Sequence, residues 1–163
     1  MTSARVALRP IAPTDAAAMA ALLEHDAEAT AMTARIPVPC TEADARAWIA
    51  VASGPPAHTF AILRTEGAVF LGAVGFVLLP GACGLGYWLG RPYWGQGYAT
   101  LAAALAVAHA RTLGATRFEA ETFPENTASA RVLEKLGFRA FAEVTRDLPR
   151  RGGPRRLVQW ECP

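Results

Sequence analysis

The sequence predicts a single mixed α/β domain over residues 1–163. Segments with the apolar pattern of strands are interspersed with alanine-rich segments whose apolar residues follow helical spacing. Hydrophobic residues make up 52% of the chain and charged residues 18%, which is too apolar for intrinsic disorder. A chain of 163 residues buries roughly 69% of its unfolded surface on folding, which is enough for one core.

The amino-terminal part is predicted to contain a strand, two helices and a connection. Residues 6–9 alternate as in a half-buried strand, and Thr14 occupies an N-cap position ahead of an alanine-rich helical segment. Residues 27–39 lack a clear period, and the prolines at their end predict an extended connection. Thr41 and Asp44 then resemble a capping box that opens a second helix.

Three strands are predicted in the middle of the chain. Residues 59–64 and 69–78 are rich in apolar, β-branched and aromatic side chains, and the tight connection between them predicts a hairpin. Residues 85–89 form a further apolar strand, whose glycines indicate a bulge or a close approach of another backbone.

The carboxy-terminal half begins with a glycine-rich loop over residues 90–97. It leads into a long alanine-rich helix that ends near Gly114. The elements predicted after it are a strand over 116–123, a short helix between Asn126 and Gly137, and strands over 140–146 and 156–161.

Composition excludes several classes of protein. The longest apolar stretch, residues 68–79, is shorter than the roughly 20 residues that span a bilayer, and no apolar segment of a secretory signal follows the first arginines. We therefore expect a cytoplasmic protein without a membrane partner. Three widely spaced cysteines predict reduced thiols rather than disulfides or a zinc site.

Metal and nucleotide-hydrolase chemistry are also disfavoured. The three histidines, His25, His58 and His109, lie far apart without metal-ligand spacing, which predicts no metal site. Lys135 is the sole lysine, so the lysine of a P-loop is missing, and Leu89 stands where a dinucleotide fingerprint needs its third glycine.

Arginines are concentrated near the end of the chain. Five of them fall within the last 18 residues, although the net charge is only +2. We favour a solvated hairpin over an anion-attracting patch, because charge runs usually lie on the surface. Nucleic-acid binding would need a broader basic surface with stacking aromatic residues, so we do not expect it.

The loop from Trp94 to Thr100 is the most informative segment. It joins a strand to a helix and contains two glycines, Gly95 and Gly97, which allow the backbone to approach a ligand closely. The free N–H groups and the positive dipole end of the helix would then bind a phosphate. An ordinary strand-to-helix turn is the alternative.

Four blocks of sequence resemble one family over nearly the whole chain. The blocks are residues 8–10 (LRP), 86–89 (GYWL), 93–100 (YWGQGYAT) and 126–138 (NTASARVLEKLGF). They are similar to the GNAT superfamily of N-acetyltransferases, in particular its Rim-type branch, which acetylates ribosomal-protein N-termini. The resemblance implies the GNAT fold, a mixed central sheet of about six to seven strands that is splayed at the fourth strand and has helices on both faces.

The resemblance also implies acetyl-CoA as the acyl donor, held by the pyrophosphate loop and by main-chain groups of the splayed strand. Trp94 replaces the Gln or Arg that commonly opens the family's loop motif, which removes one polar side chain but keeps the backbone donors. The residues that the resemblance assigns to acetyl-CoA are Trp88, Leu89, Trp94, Gly95, Gln96, Gly97, Tyr98, Ala99, Thr100, Asn126 and Ser129.

Two catalytic roles follow from the family pattern. Asn126 would hold the pantetheine arm, and Ser129 would donate a proton to the departing sulfur. Alternatively, Asn126 is simply the N-cap of its helix, with Ser129 one turn in. Tyrosine is the acid in other branches, but Tyr98 lies too near the phosphate loop to be its equivalent.

The general base is harder to identify. Relatives often carry glutamates where this chain has Gly84 and Leu101. Glu119 and Glu121 lie on the strand predicted over residues 116–123, and their carboxylates could accept a proton. A charged residue on a strand is, however, more often solvated. Glu121 is the candidate base, acting through a water.

The sequence thus predicts an acetyl-CoA-dependent N-acetyltransferase acting on a protein or peptide α-amine or on a small-molecule amine. The alternative is a non-catalytic acyl-CoA-binding protein, which the missing carboxylates permit. The resemblance also allows a homodimer. The acceptor would be shaped by the least regular segments, residues 27–40 and 146–156, which contain no motif.

Overall fold

The computed structural model describes residues 1–163 and contains seven strands and five helices. The strands are β1 (Val6–Pro10), β2 (Ala57–Arg64), β3 (Val69–Leu79), β4 (Ala82–Leu89), β5 (Phe118–Thr122), β6 (Arg139–Leu148) and β7 (Gly153–Cys162). The helices are α1 (Ala16–Leu23), α2 (Ala27–Ala31), α3 (Glu42–Ala52), α4 (Tyr98–Thr112) and α5 (Thr127–Lys135).

The predicted cap of α1 is wrong. Thr14 lies inside a short 3-10 turn, Pro13–Asp15, and makes no capping bond to the helix. The Asp15 carboxylate instead accepts a hydrogen bond from the backbone N–H of Ala12 at 2.9 Å and pairs with Arg9 at 2.6 Å. Arg9 of the LRP block therefore orients the entry of the chain into α1.

Residues 27–39, in which the sequence shows no clear period, begin with a short helix that was not predicted. Residues 27–31 form α2, because the Asp26 side chain accepts a hydrogen bond from the N–H of Ala29 at 2.9 Å and so caps the helix. By contrast, the capping box predicted at Thr41 and Asp44 is confirmed at the start of α3.

The seven strands form one mixed sheet in the order β1-β2-β3-β4-β5-β7-β6. All neighbouring strands are antiparallel except β4 and β5, which are parallel and pair at only two positions, Cys83 with Phe118 and Gly84 with Glu119. The two strands diverge beyond that point, which confirms the predicted mixed sheet splayed at its fourth strand.

Helices cover both faces of the sheet, as predicted. Side chains alternate along each central strand, so each strand contributes residues to the core on either face. Phe60 and Ile62 of β2 belong to a core beneath α4 and α5, whereas Ala61 between them belongs to a second core beneath α1, α2 and α3. On β4, Leu89 faces the α4 core and Trp88 the opposite one. Residues on either side of the β4–β5 opening can thus be assigned to a face.

The close backbone contact predicted at the glycines of β4 lies elsewhere. A Cβ atom at Gly84 or Gly86 would meet no atom within 4 Å. A Cβ atom at Gly72 of β3 would instead collide with the carbonyl oxygen of Trp88. The glycine that allows β3 and β4 to pack is therefore Gly72, and the β4 glycines leave open space beside the opening.

Candidate active site

The opening between β4 and β5 is the centre of the candidate site. Their pairing ends at Gly84 and Glu119, yet β4 continues to Leu89 against β3 and β5 continues to Thr122 against β7. The facing edges of the two strands therefore present main-chain groups without a strand partner. Such an edge can accept an extended ligand as an added strand.

Backbone direction decides which residues of β4 face the opening. The N–H of Cys83 donates to Arg117 on the β5 side, and the N–H of Gly90 donates to Leu71 on the β3 side. Because N–H direction alternates along a strand, Tyr87 and Leu89 point their N–H groups toward the opening. The main-chain N–H of Trp88 faces β3, whereas that of Leu89 faces the opening.

The Trp94 side chain anchors the loop to the end of β4. Its indole N–H donates to the carbonyl oxygen of Leu89 at 2.8 Å. This bond occupies the Leu89 carbonyl and leaves the Leu89 N–H as the group at the opening. A tryptophan in place of the family's Gln or Arg thus has a definite structural role here, which is to tie the glycine-rich loop to the end of β4.

The start of α4 has free backbone donors. Gly95 and Gly97 adopt φ values of 73° and 82°, the left-handed region that favours glycine. Gly97 is the N-cap residue, and no side chain caps the helix, unlike α2, α3 and α5, which all begin with a side-chain cap. The first N–H groups of α4 therefore remain available to an anion.

Two side chains of the loop are already engaged within the protein. The Gln96 amide donates to the carbonyl oxygen of Pro92 at 2.8 Å. The Tyr98 ring is only 6% exposed in the α4 core, and the Arg5 guanidinium lies over it. The bond to Pro92 uses one donor of the Gln96 amide, and the Tyr98 side chain is packed in the α4 core.

Asn126 and Ser129 lie together at the start of α5. The Asn126 Oδ1 atom accepts a hydrogen bond from the N–H of Ser129 at 3.0 Å, so Asn126 is the N-cap of α5 as the alternative interpretation holds. Its Nδ2 group has no protein acceptor and is free for a ligand. The cap and the ligand-binding role are therefore compatible, because they use different atoms of one side chain.

Tyr87 of β4 reaches across to Ser129. Its hydroxyl lies 2.9 Å from the Ser129 hydroxyl and 3.1 Å from the Ser129 carbonyl oxygen. Burial raises the pKa of Tyr87 to about 12, although the hydrogen bond to Ser129 lowers it. The phenol is therefore protonated near neutral pH, and it holds the Ser129 hydroxyl beside the opening.

The two carboxylates of β5 face the side of the sheet opposite to α4, because the alternate residues Phe118 and Ala120 lie in the α4 core. Glu121 Oε1 accepts hydrogen bonds from Arg146, at 2.7 and 3.1 Å, and from Gln159 at 3.1 Å. Glu119 pairs with Arg117 at 3.1 Å. These bonds all fall on Oε1 of Glu121, and its Oε2 has no hydrogen-bond partner in the protein.

A single cavity of about 1790 Å³ joins these features. Its lining includes the start of α4, both edges of the opening, and Asn126 and Ser129 of α5. It continues past Glu121 to residues 32–37 and 148–150 on the other face. The cavity therefore passes through the sheet where β4 and β5 diverge. No group of three or more metal-ligating side chains occurs in the molecule.

A family model for the GNAT acetyltransferase domain matches residues 5–139. The chain belongs to the GNAT acetyltransferase family. Mycobacterium smegmatis RimJ, solved in complex with CoA-disulfide, shares 25% identity at a TM-score of 0.81 over 96% of this chain and 81% of that chain. A GNAT-family acetyltransferase from Bacillus anthracis, 22% identical, supports the fold at a TM-score of 0.81, over 97% and 94% of the two chains.

One sequence relative is named as an N-acetyltransferase. The uncharacterized N-acetyltransferase p20 of Bacillus licheniformis is 36% identical over 86 residues, which are 50% of this chain and 48% of the relative. The match thus spans about half the length of that curated relative.

No helix of the chain is long and apolar enough to cross a membrane.

Sequence reasoning missed two long-range contacts, that of Tyr87 with Ser129 and that of Arg151 with the segment after α2. Tyr87 lies inside the GYWL block, but its contact with Ser129, 42 positions away, depends on how α5 packs against β4. Arg151 lies in the turn between β6 and β7 and was grouped with four other arginines as part of a solvated hairpin. Neither contact leaves a local pattern from which it could have been found.

Proposed function

We propose that the chain is an acetyl-CoA-dependent N-acetyltransferase that moves the acetyl group directly to a primary amine. The observation that supports this best is the cavity that starts at the uncapped end of α4 and passes through the β4–β5 opening. Direct transfer requires two substrates to meet in one orientation, and such a passage admits one from each face of the sheet.

The donor would be held mainly by backbone groups. N–H groups of the loop over residues 94–100 would bind the pyrophosphate with the help of the α4 dipole. The N–H groups of Tyr87 and Leu89 would pair with the pantetheine arm and the thioester carbonyl, where developing negative charge needs a donor. The free Nδ2 of Asn126 would donate to the same arm. The loop, the edge of β4 and Asn126 each supply hydrogen-bond donors for this purpose.

Ser129 is the proposed general acid. Its hydroxyl borders the cavity and is held by Tyr87, so it can donate a proton to the sulfur as the carbon–sulfur bond breaks. Tyr87 is a positioning residue in this scheme, because it acts on the sulfur through Ser129.

The acceptor is proposed to be a weakly basic amine, best represented by a peptide α-amine. The attacking amine must be neutral, and deprotonation costs about 1.4 kcal/mol for each unit by which the pKa of the amine exceeds the pH. At pH 7 that is about 1 kcal/mol for an α-amine and over about 4 kcal/mol for a lysine side chain. The chain has Gly84 and Leu101 where relatives often carry glutamates, so no carboxylate at those two positions offsets the larger cost.

A peptide that offers both amines tests this proposal. Incubated with acetyl-CoA, it should release CoA thiol and acquire the acetyl group at its N-terminus in preference to its lysine. The thiol is measured with a disulfide reagent and the position of acetylation by mass spectrometry. Acetylation of the lysine alone would contradict the acceptor argument.

A non-catalytic acyl-CoA-binding protein is the second candidate, favoured by the glycine at position 84 and by the interactions of Glu121. The same experiment separates the two functions when calorimetry is added. Binding of acetyl-CoA without thiol release from any amine of a panel of peptides, polyamines, aminoglycosides and amino acids would support the second candidate. Absence of binding would overturn both.

A further inference from the structure

Two arginines that line the cavity have no partner in the protein. Arg35 follows α2, and Arg150 lies in the turn between β6 and β7. Both side chains are exposed, and neither guanidinium makes a hydrogen bond or an ion pair with a protein group. Both are therefore available to an anionic group that enters the cavity.

Arg151 explains why these two arginines lie at the same end of the cavity. It is half-buried, and its Nε donates to the Thr33 carbonyl at 2.5 Å while its Nη2 donates to the Ile36 carbonyl at 2.7 Å. Arg35 lies between these two acceptors in the chain, and Arg150 directly precedes the donor. One side chain thus holds both segments together. The prediction of a solvated hairpin is wrong for Arg151, whose guanidinium is bonded within the protein.

The positive charge of the β6–β7 turn is not cancelled by nearby acids. Other arginines of the hairpin do have partners, because Arg146, Arg155 and Arg156 pair with the glutamates at positions 121, 125 and 143. Arg151 has no carboxylate partner. Burial lowers its pKa from the ordinary arginine value, and so does repulsion from Arg150 and Arg155.

The acids that line the cavity are already engaged. Of the five, the glutamates at positions 28, 119, 121 and 125 each pair with an arginine, at 2.6 to 3.1 Å. The fifth, Asp44, is held in the capping box of α3 by hydrogen bonds that lower its pKa, and the charge of Arg150 lowers it further. Asp44 nevertheless forms no ion pair with Arg150. On this face of the sheet the charges left without a partner are therefore the two arginines.

We propose that Arg35 and Arg150 form an anion subsite, which selects acceptors that carry a carboxylate close to the primary amine, such as a peptide with acidic residues directly after its N-terminus. This inference rests on the proposed N-acetyltransferase function and specifies the charge of its substrate. With the amine at the β4–β5 opening, the following residues would extend along the cavity toward residues 32–37 and 148–150. A guanidinium can bind a carboxylate through two parallel hydrogen bonds.

The chemistry of the amine cannot produce the same preference. A carboxylate near an amine favours the charged ammonium and so raises its pKa. Because the neutral amine is the one that attacks, acidic neighbours by themselves would slow the reaction slightly. A preference for acidic acceptors must therefore come from binding to the protein.

The experiment compares two double variants that remove the same charge. Arg35→Gln with Arg150→Gln removes the subsite. Arg139→Gln with Arg156→Gln is the control, because these arginines of β6 and β7 are exposed and do not line the cavity. Each protein is assayed at saturating acetyl-CoA with three peptides that begin with alanine and differ only in the second and third residues, which are both glutamate, both glutamine or both arginine.

We expect the parent to prefer the glutamate peptide over the glutamine peptide by at least about tenfold in kcat/KM, and to use the arginine peptide least. The preference should shrink as the salt concentration rises, since salt screens exposed charges. Arg35→Gln with Arg150→Gln should bring the glutamate and glutamine peptides within about twofold of each other, with the KM for acetyl-CoA unchanged within about twofold. The control should behave like the parent.

Equal use of the glutamate and glutamine peptides by the parent would overturn the subsite and leave the proposed function intact. A preference that survives in Arg35→Gln with Arg150→Gln would also overturn it. Free glutamate and glutamine serve as small acceptors in a further assay. Preference for free glutamate alone would support the subsite and assign it to an amino acid rather than a peptide.

Binding gives a readout that does not depend on turnover. A dye-labelled glutamate peptide with a free N-terminus is titrated with each protein in the presence of CoA, and fluorescence anisotropy is measured. We expect at least about tenfold weaker binding to Arg35→Gln with Arg150→Gln than to the control. That result in a parent that acetylates no amine would support the subsite while contradicting the proposed function. Equal binding to the two double variants would overturn the subsite.

Discussion

The donor half and the acceptor half of the cavity are built in different ways. Donor groups come from two short stretches, residues 82–100 and 126–129, and most of them are backbone N–H groups placed by glycines and helix ends. The proposed acceptor end is bounded by residues 32–37 and 148–150, and Arg151 ties the β6–β7 turn to Ile36. Local sequence can therefore specify the donor half, whereas long-range packing specifies the acceptor half.

Ser129 gives the largest expected effect within the donor half. Ser129→Ala should lower turnover by ~10²-fold or more with little change in acetyl-CoA affinity, because the sulfur loses its proton donor. Stability should change little, since Asn126 and not the Ser129 hydroxyl caps α5. Steady-state kinetics, calorimetric titration and thermal unfolding check the three statements.

Near-normal turnover in the folded Ser129→Ala protein would show that Ser129 is not the general acid. It would also weaken the view that the donor half can be specified by local motifs, because the acid would then have to come from elsewhere in the fold.

Gly97 tests whether the donor half depends on backbone conformation. Gly97→Val should weaken acetyl-CoA binding by about tenfold or more, because a β-branched residue resists a φ of 82° and crowds the N–H groups of the loop. Gly114→Val is the matched control. Gly114 lies past the other end of α4 with a φ of 93°, and a Cβ atom there also meets no atom within 4 Å.

Both glycine variants should lose stability to a similar extent, of the order of 1–3 kcal/mol for each strained residue. Only Gly97→Val should lose affinity, as measured by calorimetry below the melting temperature of both variants. Equal affinities in the two variants would exclude the loop from the donor site.

Tyr87 gives the smallest expected effect and tests the one side-chain contact that crosses between β4 and α5. Tyr87→Phe keeps the ring and removes the hydroxyl that holds Ser129. Turnover should fall about fivefold, which corresponds to about 1 kcal/mol for one hydrogen bond, while the KM for acetyl-CoA stays constant.

A variant with both Ser129→Ala and Tyr87→Phe shows whether Tyr87 acts only by positioning Ser129 or has a separate role. Added to Ser129→Ala, Tyr87→Phe should cause no further loss of turnover, because the group that it positions is already absent. Additive losses would show that Tyr87 acts independently of Ser129.

Several residues show why prediction succeeded in some places and failed in others. The loop over residues 94–100 and the caps at Thr41 and Asn126 were predictable, because each depends on residues within a few positions of one another. The main-chain N–H of Trp88 faces β3, which no local pattern indicates. Which edge of a strand a peptide group faces depends on register with β3, and register is a property of the assembled sheet.

The sequence by itself determined the mixed α/β class, most element boundaries and the phosphate-type loop, because apolar periodicity, glycine conformations and helix caps act over a few residues. Only the tertiary structure decided that β4 and β5 part after two residue pairs, that Tyr87 holds Ser129, and that Arg151 bonds to the carbonyl of Ile36. Each of these contacts joins residues that are far apart along the chain. They form only once the two halves of the sheet and their helices pack together.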